Sequence, residues 1–393
     1  MMSLATVAAT ALMDSLDPFD AIIDARSEDE FALDHLPGAV NWPTLNNAER
    51  HEIGTTYKQF NPFEARKRGG AIAARNIACH IEAHVLDKPR DWKPLVYCWR
   101  GGQRSGSLAL VLGQIGFRVG VVEGGYKAFR AALVADTAHR AAGLNFQVVC
   151  GTTGSGKTRL LHALQRKGAQ VLDLEALACH RSSVLGALPG QPQPSQKGFD
   201  TLVWNVLRSF DPARPVYVES ESRKVGNVAV PVALMDAMRA GTCLNLVLDD
   251  TQRVALLMED YDFFVRDRDA FCNRLDILAE IRGKEVVEAW KSAVRANRLE
   301  PVVQELLTVH YDPVYLQSIR RNFKHFADAM LLAPSDRSAA AMEVVAEGLV
   351  RNCSQRQQSP YLAESSASPL GPSWDQGAGD AGGASTSGIG GHQ

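Results

Sequence analysis

Two short glycine-containing loops constrain the fold of this chain more than any other feature. Residues 98–105 read CWRGGQRS and residues 151–158 read GTTGSGKT. Each loop follows a short apolar run and precedes a stretch with helical apolar spacing. A strand, a glycine-rich turn and a helix in that order direct backbone N–H groups at one point, where they bind anions. The sequence therefore predicts two α/β units, each with an anion site at a strand end.

The apolar pattern divides the chain into five segments. Residues 1–17 are predicted to be an N-terminal extension with a loosely docked helix, and residues 18–138 to be a first α/β domain. Residues 139–250 alternate strands and helices around a parallel sheet, and residues 251–353 have helical spacing throughout. Residues 354–393 are mostly Ser, Gly, Gln, Pro and Ala, a composition that predicts a disordered tail because it buries little surface.

Composition excludes several classes of protein. The formal net charge is −2, so nucleic-acid contact requires a local basic patch and not a global field. Seven cysteines without a CxxC pair argue against a disulfide framework and a zinc ribbon, and they favour reduced thiols in a cytoplasmic protein. No signal peptide and no apolar stretch of bilayer length is found, so no membrane contact is expected.

The first loop is predicted to carry a nucleophilic thiol. Cys98 at a strand end, inside a ring of N–H groups, is favoured as a thiolate. Arg100 and Arg104 add positive charge, and each guanidinium can form bidentate hydrogen bonds with an anion. Cys150 and Cys243 lie in predicted strands and are expected to be core residues.

The second loop matches the phosphate-binding pattern GxxxxGK[ST] in full, between a strand and a helix. The N–H groups of residues 154–158 are expected to surround a phosphate, with Lys157 supplying charge and Thr158 as a possible Mg²⁺ ligand. The predicted phosphate-binding residues are Gly151, Gly154, Ser155, Gly156, Lys157 and Thr158. The partner carboxylate is expected at a neighbouring strand end, and the candidates are Glu219, Glu221 and Asp173.

Two basic clusters are candidates for nucleic-acid contact, against the alternative that each is an ordinary solvated face. The first contains Arg50 and the candidate contact residues Lys58, Arg66, Lys67, Arg68 and Arg75. The second contains Arg320, Arg321, Lys324 and His325, beside Phe323 and Phe326.

The first α/β domain resembles the rhodanese family. The resemblance rests on residues 24–27 (DARS) with Phe31, residues 35–41 (HLPGAVN), Cys98 with residues 104–105, and residues 123–125 (EGG). Arg104 stands six residues after Cys98, where common single-domain rhodaneses place the Arg at five. The longer loop is similar to that of rhodanese-fold phosphatases, so a wider anion pocket is expected.

A rhodanese-like domain followed by a P-loop domain resembles the tRNA 2-selenouridine synthase family over residues 18–350. The segments that carry this resemblance are 54–59 (GTTYKQ), 62–67 (PFEARK), 98–105, 124–130 (GGYKAFR), the P-loop, 173–175 (DLE), 180–181 (HR), 194–197 (PSQK) and 219–224 (ESESRK). The tail 354–393 has no counterpart in the resemblance.

The resemblance implies a transferase with two steps at the wobble 2-thiouridine of tRNA. Geranyl diphosphate first alkylates the sulfur, and selenium from selenophosphate then displaces the geranylated sulfur to give 2-selenouridine. Cys98 is implied as an S-selanylcysteine intermediate, although simple binding of selenophosphate for direct attack stays open. Whether the P-loop holds geranyl diphosphate or a nucleotide also stays open. Transient contact with an enzyme that produces selenophosphate is a further expectation.

Without the resemblance, the residues indicate thiol-dependent group transfer coupled to a phosphorylated co-substrate. One rival is an ATP-dependent tRNA sulfurtransferase that uses a Cys98 persulfide. The other is a redox- or phosphate-sensing P-loop switch whose first domain only recruits a partner. A requirement for ATP would favour the sulfurtransferase, whereas a requirement for geranyl diphosphate would favour the selenouridine synthase. Nucleotide-driven partner binding without turnover would favour the switch.

Overall fold

A computed structural model describes residues 4–183, 185–188 and 190–358 of the chain, with side chains described as far as residue 352. The described residues up to Val350 belong to one compact unit, Met1–Val350. The second unit, Arg351–Gln393, is described over residues 351–358, which are helical. The predicted disordered tail therefore begins too early at 354, because residues 354–358 continue a helix; its remainder, 359–393, lies outside the described residues.

The first half of the compact unit is built on a five-stranded parallel sheet of order β1-β5-β4-β2-β3. Its strands are β1 (Leu4–Val7), β2 (Ala21–Asp24), β3 (Ala39–Asn41), β4 (Pro94–Tyr97) and β5 (Val119–Val122). Strand β1 corrects the prediction of a separate extension, since residues 4–7 pair with β5 at the sheet edge. Four residues carry too little periodicity to distinguish an edge strand from a helix turn.

Six helices surround this sheet. They are α1 (Ala11–Asp14), α2 (Glu28–Leu33), α3 (Asn47–Gln59), α4 (Pro62–His84), α5 (Gln103–Ile115) and α6 (Gly125–Gly143). The predicted start of α2 is confirmed, because Ser27 and Glu30 form a reciprocal capping box. Helices α3 and α4 form a hairpin whose turn is closed by Asn61 as N-cap and Pro62 in the first helical turn.

The second half contains a further parallel sheet and a short antiparallel pair. The strands are β6 (Asn145–Cys150), β7 (Gln170–Leu172), β8 (Pro215–Glu219), β9 (Lys224–Val225), β10 (Val228–Ala229), β11 (Thr242–Leu246) and β12 (Met330–Leu332). The parallel order is β12-β11-β6-β8-β7, and β9 pairs with β10. The predicted α/β class with a parallel sheet around the P-loop is confirmed, and the sheet of the first half is parallel as well. Residues 251–353 are not wholly helical, however, because β12 completes the edge of this sheet against β11.

Helices and one π-helical segment cover this sheet and form a helical region beside it. They are α7 (Lys157–Arg166), α8 (Leu174–Leu177), α9 (Gln196–Leu207), α10 (Val232–Arg239), α11 (Asp250–Asp260), α12 (Asp262–Arg266), α13 (Arg268–Leu275), a 3-10 turn (Asp276–Leu278), α14 (Ala279–Arg282), α15 (Lys284–Arg295), α16 (Leu299–Glu305), the π-helical segment (Leu306–Tyr311), α17 (Asp312–Asn322) and α18 (Ala339–Gln358). Over the part of the chain that the structure describes, none of these helices is long and apolar enough to cross a bilayer.

Helix α6 joins the two halves. It continues to Gly143, five residues past the predicted boundary at 138, and packs against α9 and α10. Asp136 accepts a hydrogen bond from the Trp204 indole at 2.7 Å, and Arg130 pairs with Asp200 at 2.6 Å. These contacts fix the position of one anion-binding loop relative to the other.

Candidate functional site

Cys98 follows the C-terminal end of β4 and is 2% exposed. The backbone of the turn after β5 closes over its loop: Tyr126 N donates to Cys98 O at 2.8 Å. A Cβ at Gly125 would lie 2.3 Å from Cys98 O and 2.4 Å from Gly101 N. Glycine is therefore required at 125 for this close approach.

The loop around the thiol suits an anion. The backbone N–H groups of residues 99–102 donate no hydrogen bond to any described residue, and α5 begins directly after them. Ser105, in the first turn of α5, donates from Oγ to the Cys98 sulfur at 3.1 Å. The sulfur therefore lies against a hydroxyl donor at the N-terminal end of a helix.

The two arginines of this loop differ in their surroundings. Arg100 is exposed and forms no ion pair with the described residues. Arg104 forms an ion pair with Glu30. Its Nη1 lies 2.7 Å from Glu30 Oε2, and its Nη2 lies 3.5 Å from Glu30 Oε1. Although burial opposes ionisation of Glu30, its hydrogen bond to Arg104 and the charges of Arg104 and Arg50 hold its pKa below the usual value. The structure thus leaves Arg100 free for an anion and gives Arg104 an anionic partner in the protein.

The P-loop connects β6 to α7 in the predicted position. Gly156 has φ +91°, a backbone conformation that strains any residue with a Cβ, so glycine is favoured there. The N–H groups of residues 154 and 156–158 donate to no described residue, as an anion cradle requires. The N–H of Ser155 differs from its neighbours, because it donates to Thr152 O at 3.1 Å and closes a turn within the loop.

Lys157 lies over the loop that it is predicted to serve. Its Nζ donates to Gly151 O at 2.7 Å and lies 5.4 Å from the ring centroid of Tyr315. The Tyr315 hydroxyl accepts from Gly151 N at 2.7 Å, so α17 supports the first residue of the P-loop. Tyr315 could not be identified from the sequence, because α17 carries no motif that marks it.

The three predicted carboxylates have different roles. Asp173 caps α8 by accepting from Ala176 N at 2.8 Å, and it lies 3.2 Å from His162. Glu219 is buried and accepts from Glu175 N at 3.0 Å. Glu221 is also buried and lines the cleft beside the P-loop, where desolvation and the charge of Glu175 raise its pKa to about 7. Desolvation likewise raises the pKa of Glu219.

The carboxylate nearest to Thr158 is Glu175, which sequence analysis did not select. Its Oε2 lies 3.5 Å from Thr158 Oγ1. Among the residues that the structure describes, no group of three or more His, Cys, Asp or Glu side chains could hold a metal alone. A hydroxyl and one carboxylate nevertheless suit Mg²⁺, which commonly takes its other ligands from water and substrate phosphate.

A buried arginine also fixes the P-loop from the helical region. Arg253 donates to Thr153 O through Nε at 3.0 Å and Nη2 at 2.8 Å. The same guanidinium pairs with Asp312, the first residue of α17, at 2.6 Å. Neither residue stands in a recognisable motif, so only the tertiary contact reveals their role.

Models of known protein families match the chain around both loops. The family model described as "Rhodanese-like domain" matches residues 8–132, and the one described as "tRNA 2-selenouridine synthase AAA domain" matches residues 144–277. The chain is 31% identical to a tRNA 2-selenouridine synthase of Nitrosomonas eutropha, over 76% of this chain and 88% of that protein. The chain belongs to the tRNA 2-selenouridine synthase family.

Two further members of the tRNA 2-selenouridine synthase family show the extent of the similarity. The protein of Marinobacter nauticus is 31% identical, over 75% of this chain and 87% of its own length. The protein of Nitrosomonas europaea is 37% identical, over 61% of this chain and 63% of its own length. The longer alignments extend well beyond either domain model alone.

In this member of the tRNA 2-selenouridine synthase family, helix α9 of the P-loop half lies beside the thiol loop. Lys197, in the first turn of α9, places Nζ 5.6 Å from the ring centroid of Trp99, the neighbour of Cys98. The P-loop half thus contributes a cation beside the thiol loop.

The two basic clusters of this family member are exposed but differ in their aromatic neighbours. Lys58, Arg66, Lys67, Arg68 and Arg75 all lie exposed on α3 and α4. At the turn between these helices, Tyr57, Phe60 and Phe63 are 53%, 80% and 62% exposed. In the second cluster Arg320, Arg321, Lys324 and His325 are exposed, whereas Phe323 and Phe326 pack into the core. Only the hairpin combines exposed cations with exposed rings.

Proposed function

We propose that this chain is a tRNA 2-selenouridine synthase that acts through an S-geranyl-2-thiouridine intermediate, with geranyl diphosphate and selenophosphate as co-substrates. The observation that carries the proposal is the pairing of two N–H cradles, one at a thiol and one at a P-loop lysine, within one compact unit of a chain in this family. A thiol site alone would not need a diphosphate cradle.

The P-loop serves the first step in this proposal. The sulfur of 2-thiouridine attacks C1 of the geranyl group, the C1–O bond breaks, and diphosphate leaves with the electron pair. The N–H groups of residues 154 and 156–158, together with Lys157, are placed to stabilise the charge that develops on diphosphate. Alkylation makes the sulfur able to depart later as a thiolate.

Thr158 and Glu175 would hold Mg²⁺ next to the leaving diphosphate. Their oxygens lie 3.5 Å apart, and the remaining ligands would come from water and phosphate oxygens. The ion would supply charge neutralisation of the diphosphate. Lys157 reaches the same cradle and provides a fixed cation whether or not the ion is bound.

The thiol loop serves the second step. The N–H groups of residues 99–102 and Arg100, which have no partner among the described residues, suit the phosphate group of selenophosphate, while Ser105 donates a hydrogen bond to the Cys98 sulfur. In the covalent route, which we place first, the thiolate takes selenium to give selanyl-Cys98. That selenium attacks C2 of the geranylated base and expels geranyl thiolate.

Electron balance distinguishes the covalent route from direct delivery. Thiolate attack on selenium breaks the Se–P bond and leaves its electron pair on phosphorus, as phosphite; a second thiol then cleaves the S–Se bond and forms a disulfide with Cys98. In direct delivery, the selenium of bound selenophosphate attacks C2, and water then cleaves the Se–P bond to give orthophosphate. Phosphorus NMR of the product and the intact mass of the protein after selenophosphate treatment separate the two routes.

The α3–α4 hairpin is the proposed tRNA surface. Its cations suit phosphates, and its exposed rings suit unstacked bases of an anticodon loop. Lys67 Nζ lies 5.2 Å from the Phe63 ring centroid, so one cation and one ring already share a surface. The wobble base has to leave its stack before chemistry, which a loop allows at low cost. A cytoplasmic location and contact with a selenophosphate-producing enzyme stay predictions.

The test is nucleoside mass spectrometry of tRNA that carries wobble 2-thiouridine. The full chain is incubated with geranyl diphosphate, with and without selenophosphate, and in parallel with ATP and a persulfide donor. A geranylated nucleoside that becomes 2-selenouridine on addition of selenophosphate supports both steps. Modification that requires ATP instead would favour the sulfurtransferase, and nucleotide binding without any turnover would favour the switch.

A further inference from the structure

An apolar cavity lies in the helical region next to the P-loop. The centre of a water-sized sphere can occupy about 60 Å³ of it, and its mouth is open to solvent. Its walls come from α11, α12, α13, α16 and the π-helical segment. Aliphatic and aromatic side chains form most of the lining, among them Leu257, Phe264, Phe271, Leu299, Val303 and Leu307. Such a lining accepts hydrocarbon and offers little to a base or a ribose, which need hydrogen-bond partners.

The cavity adjoins the phosphate-binding loop. Thr153, a residue of the P-loop itself, lines both the cavity and the cleft that holds Lys157. Tyr261 and Tyr311 also line both spaces. Arg253 holds the Thr153 carbonyl, so the wall between the two spaces is fixed. A ligand with its phosphates in the cradle would therefore direct the group attached to them towards the cavity mouth.

The polar groups of the lining are few and lie towards the P-loop. Ser183 Oγ and the Tyr261 hydroxyl are 3.5 Å apart, and both residues also border the cleft. The Tyr311 hydroxyl is buried without a partner in hydrogen-bond geometry among the described residues. The cavity is thus graded from polar at the phosphate side to apolar inside.

Loose packing of the helical core does not account for this space. Leu275, Leu278 and Val294, in the same core cluster, are fully buried. The opening coincides instead with the π-helical segment Leu306–Tyr311, from which Leu306, Leu307 and Tyr311 line the cavity. Widened helix turns of this kind occur frequently at functional sites.

We propose that this cavity is the prenyl-chain site, which holds the geranyl group of a geranyl diphosphate whose phosphates lie in the P-loop. This inference rests on the proposed function, and it adds the residues that recognise the chain. The cavity would select among prenyl diphosphates by length, because each further isoprene unit buried or excluded changes affinity on the order of 100-fold.

The experiment measures binding by isothermal titration calorimetry of the full chain with inorganic diphosphate, dimethylallyl diphosphate and geranyl diphosphate. Val303→Trp fills the cavity from α16, and Ile281→Trp adds the same ring at a position on α14 that is 60% exposed. We expect Val303→Trp to weaken the binding of geranyl diphosphate by a factor on the order of 100. The affinity of this variant for inorganic diphosphate should change by less than about twofold. Ile281→Trp should leave the affinities for all three ligands unchanged.

Unaltered geranyl diphosphate affinity in Val303→Trp, with inorganic diphosphate still bound, would overturn the cavity assignment and leave the proposed function intact. A wild-type chain that binds geranyl diphosphate no better than inorganic diphosphate would instead count against the proposed function itself. If Val303→Trp loses all three ligands, Val303→Asn decides, because it keeps the volume and makes the wall polar. A loss confined to the prenyl ligands then supports the site, and equal binding of geranyl diphosphate rejects it.

Discussion

The carboxylate of Asp312 binds the guanidinium of Arg253 through two contacts, at 2.6 and 3.0 Å, and this pair connects α17 to the P-loop backbone. Arg253 is 5% exposed at its side chain, and it also donates twice to Thr153 O. The phosphate cradle is therefore held in shape by a contact between residues 59 positions apart.

Asp312→Asn should destabilise the protein and weaken diphosphate binding. Arg253 keeps its second ion pair, with Asp250 at 2.8 Å, so the loss is that of one charged hydrogen-bond partner and costs about 1.5–3 kcal/mol. Urea denaturation and diphosphate titration measure the two effects. The double variant Arg253→Leu with Asp312→Leu should recover part of the stability but not the diphosphate affinity, since Thr153 loses its donor. Recovery of both would show that the pair does not hold the P-loop.

Lys157→Ala should abolish geranylation and leave tRNA binding unchanged. The ammonium supplies the only P-loop side-chain cation that lies on the described cradle, so loss of it raises the barrier for diphosphate departure. Geranylated nucleoside formed per minute is the measurement. Lys167→Ala, at the end of α7, is the matched control and should retain activity. Geranylation at the wild-type rate in Lys157→Ala would remove the P-loop from this step.

Cys98→Ser should lose conversion to 2-selenouridine and keep geranylation. Ser105→Ala should slow selenation by about 2–10-fold, because the sulfur loses one hydrogen bond worth about 0.5–1.5 kcal/mol. The measurement starts from purified geranylated tRNA, so that only the second step is followed. Cys79→Ser changes an exposed thiol on α4 and should have no effect. Selenation by Cys98→Ser at the full rate would rule out a covalent role.

Glu221 makes stability depend on pH. Burial raises its folded-state pKa to about 7, whereas the unfolded value is 4.5. The folded protein binds more protons between these values, so its contribution to stability is present below about pH 4.5 and is lost as pH rises through about 7. Glu221→Gln should be more stable than wild type at about pH 8, by on the order of 2 kcal/mol, and similar at about pH 4. Denaturation of both proteins at the two pH values measures the difference in their free energies of unfolding. The same difference at both pH values would contradict the prediction.

The α3–α4 hairpin should bind tRNA through charge and stacking together. Neutralising Lys58 and Arg66 should reduce the slope of log affinity against log salt by about 0.7–1 for each charge. Phe60→Ala should weaken binding by about 1–3 kcal/mol without changing that slope. Lys284→Gln and Leu86→Ala are exposed controls elsewhere on the surface. An unchanged slope in the charge variants would return the cluster to an ordinary solvated face.

The sequence by itself determined both anion loops, because each is local. Cys98 and the P-loop glycines lie within runs of eight residues whose strand–turn–helix context is also local, and the α2 capping box needs only Ser27 and Glu30. Family resemblance was likewise carried by contiguous strings. The class of fold and the main chemical groups therefore followed from short-range patterns.

Only the tertiary structure decided how these groups are supported and where the edges of the sheets lie. Strands β1 and β12 are short, and each becomes a strand through pairing with a distant partner. Glu175 reaches Thr158, and Arg253 reaches Asp312, through contacts that no periodicity encodes. The apolar cavity depends on several helices meeting around a widened turn, so its residues look like ordinary core positions when read along the chain.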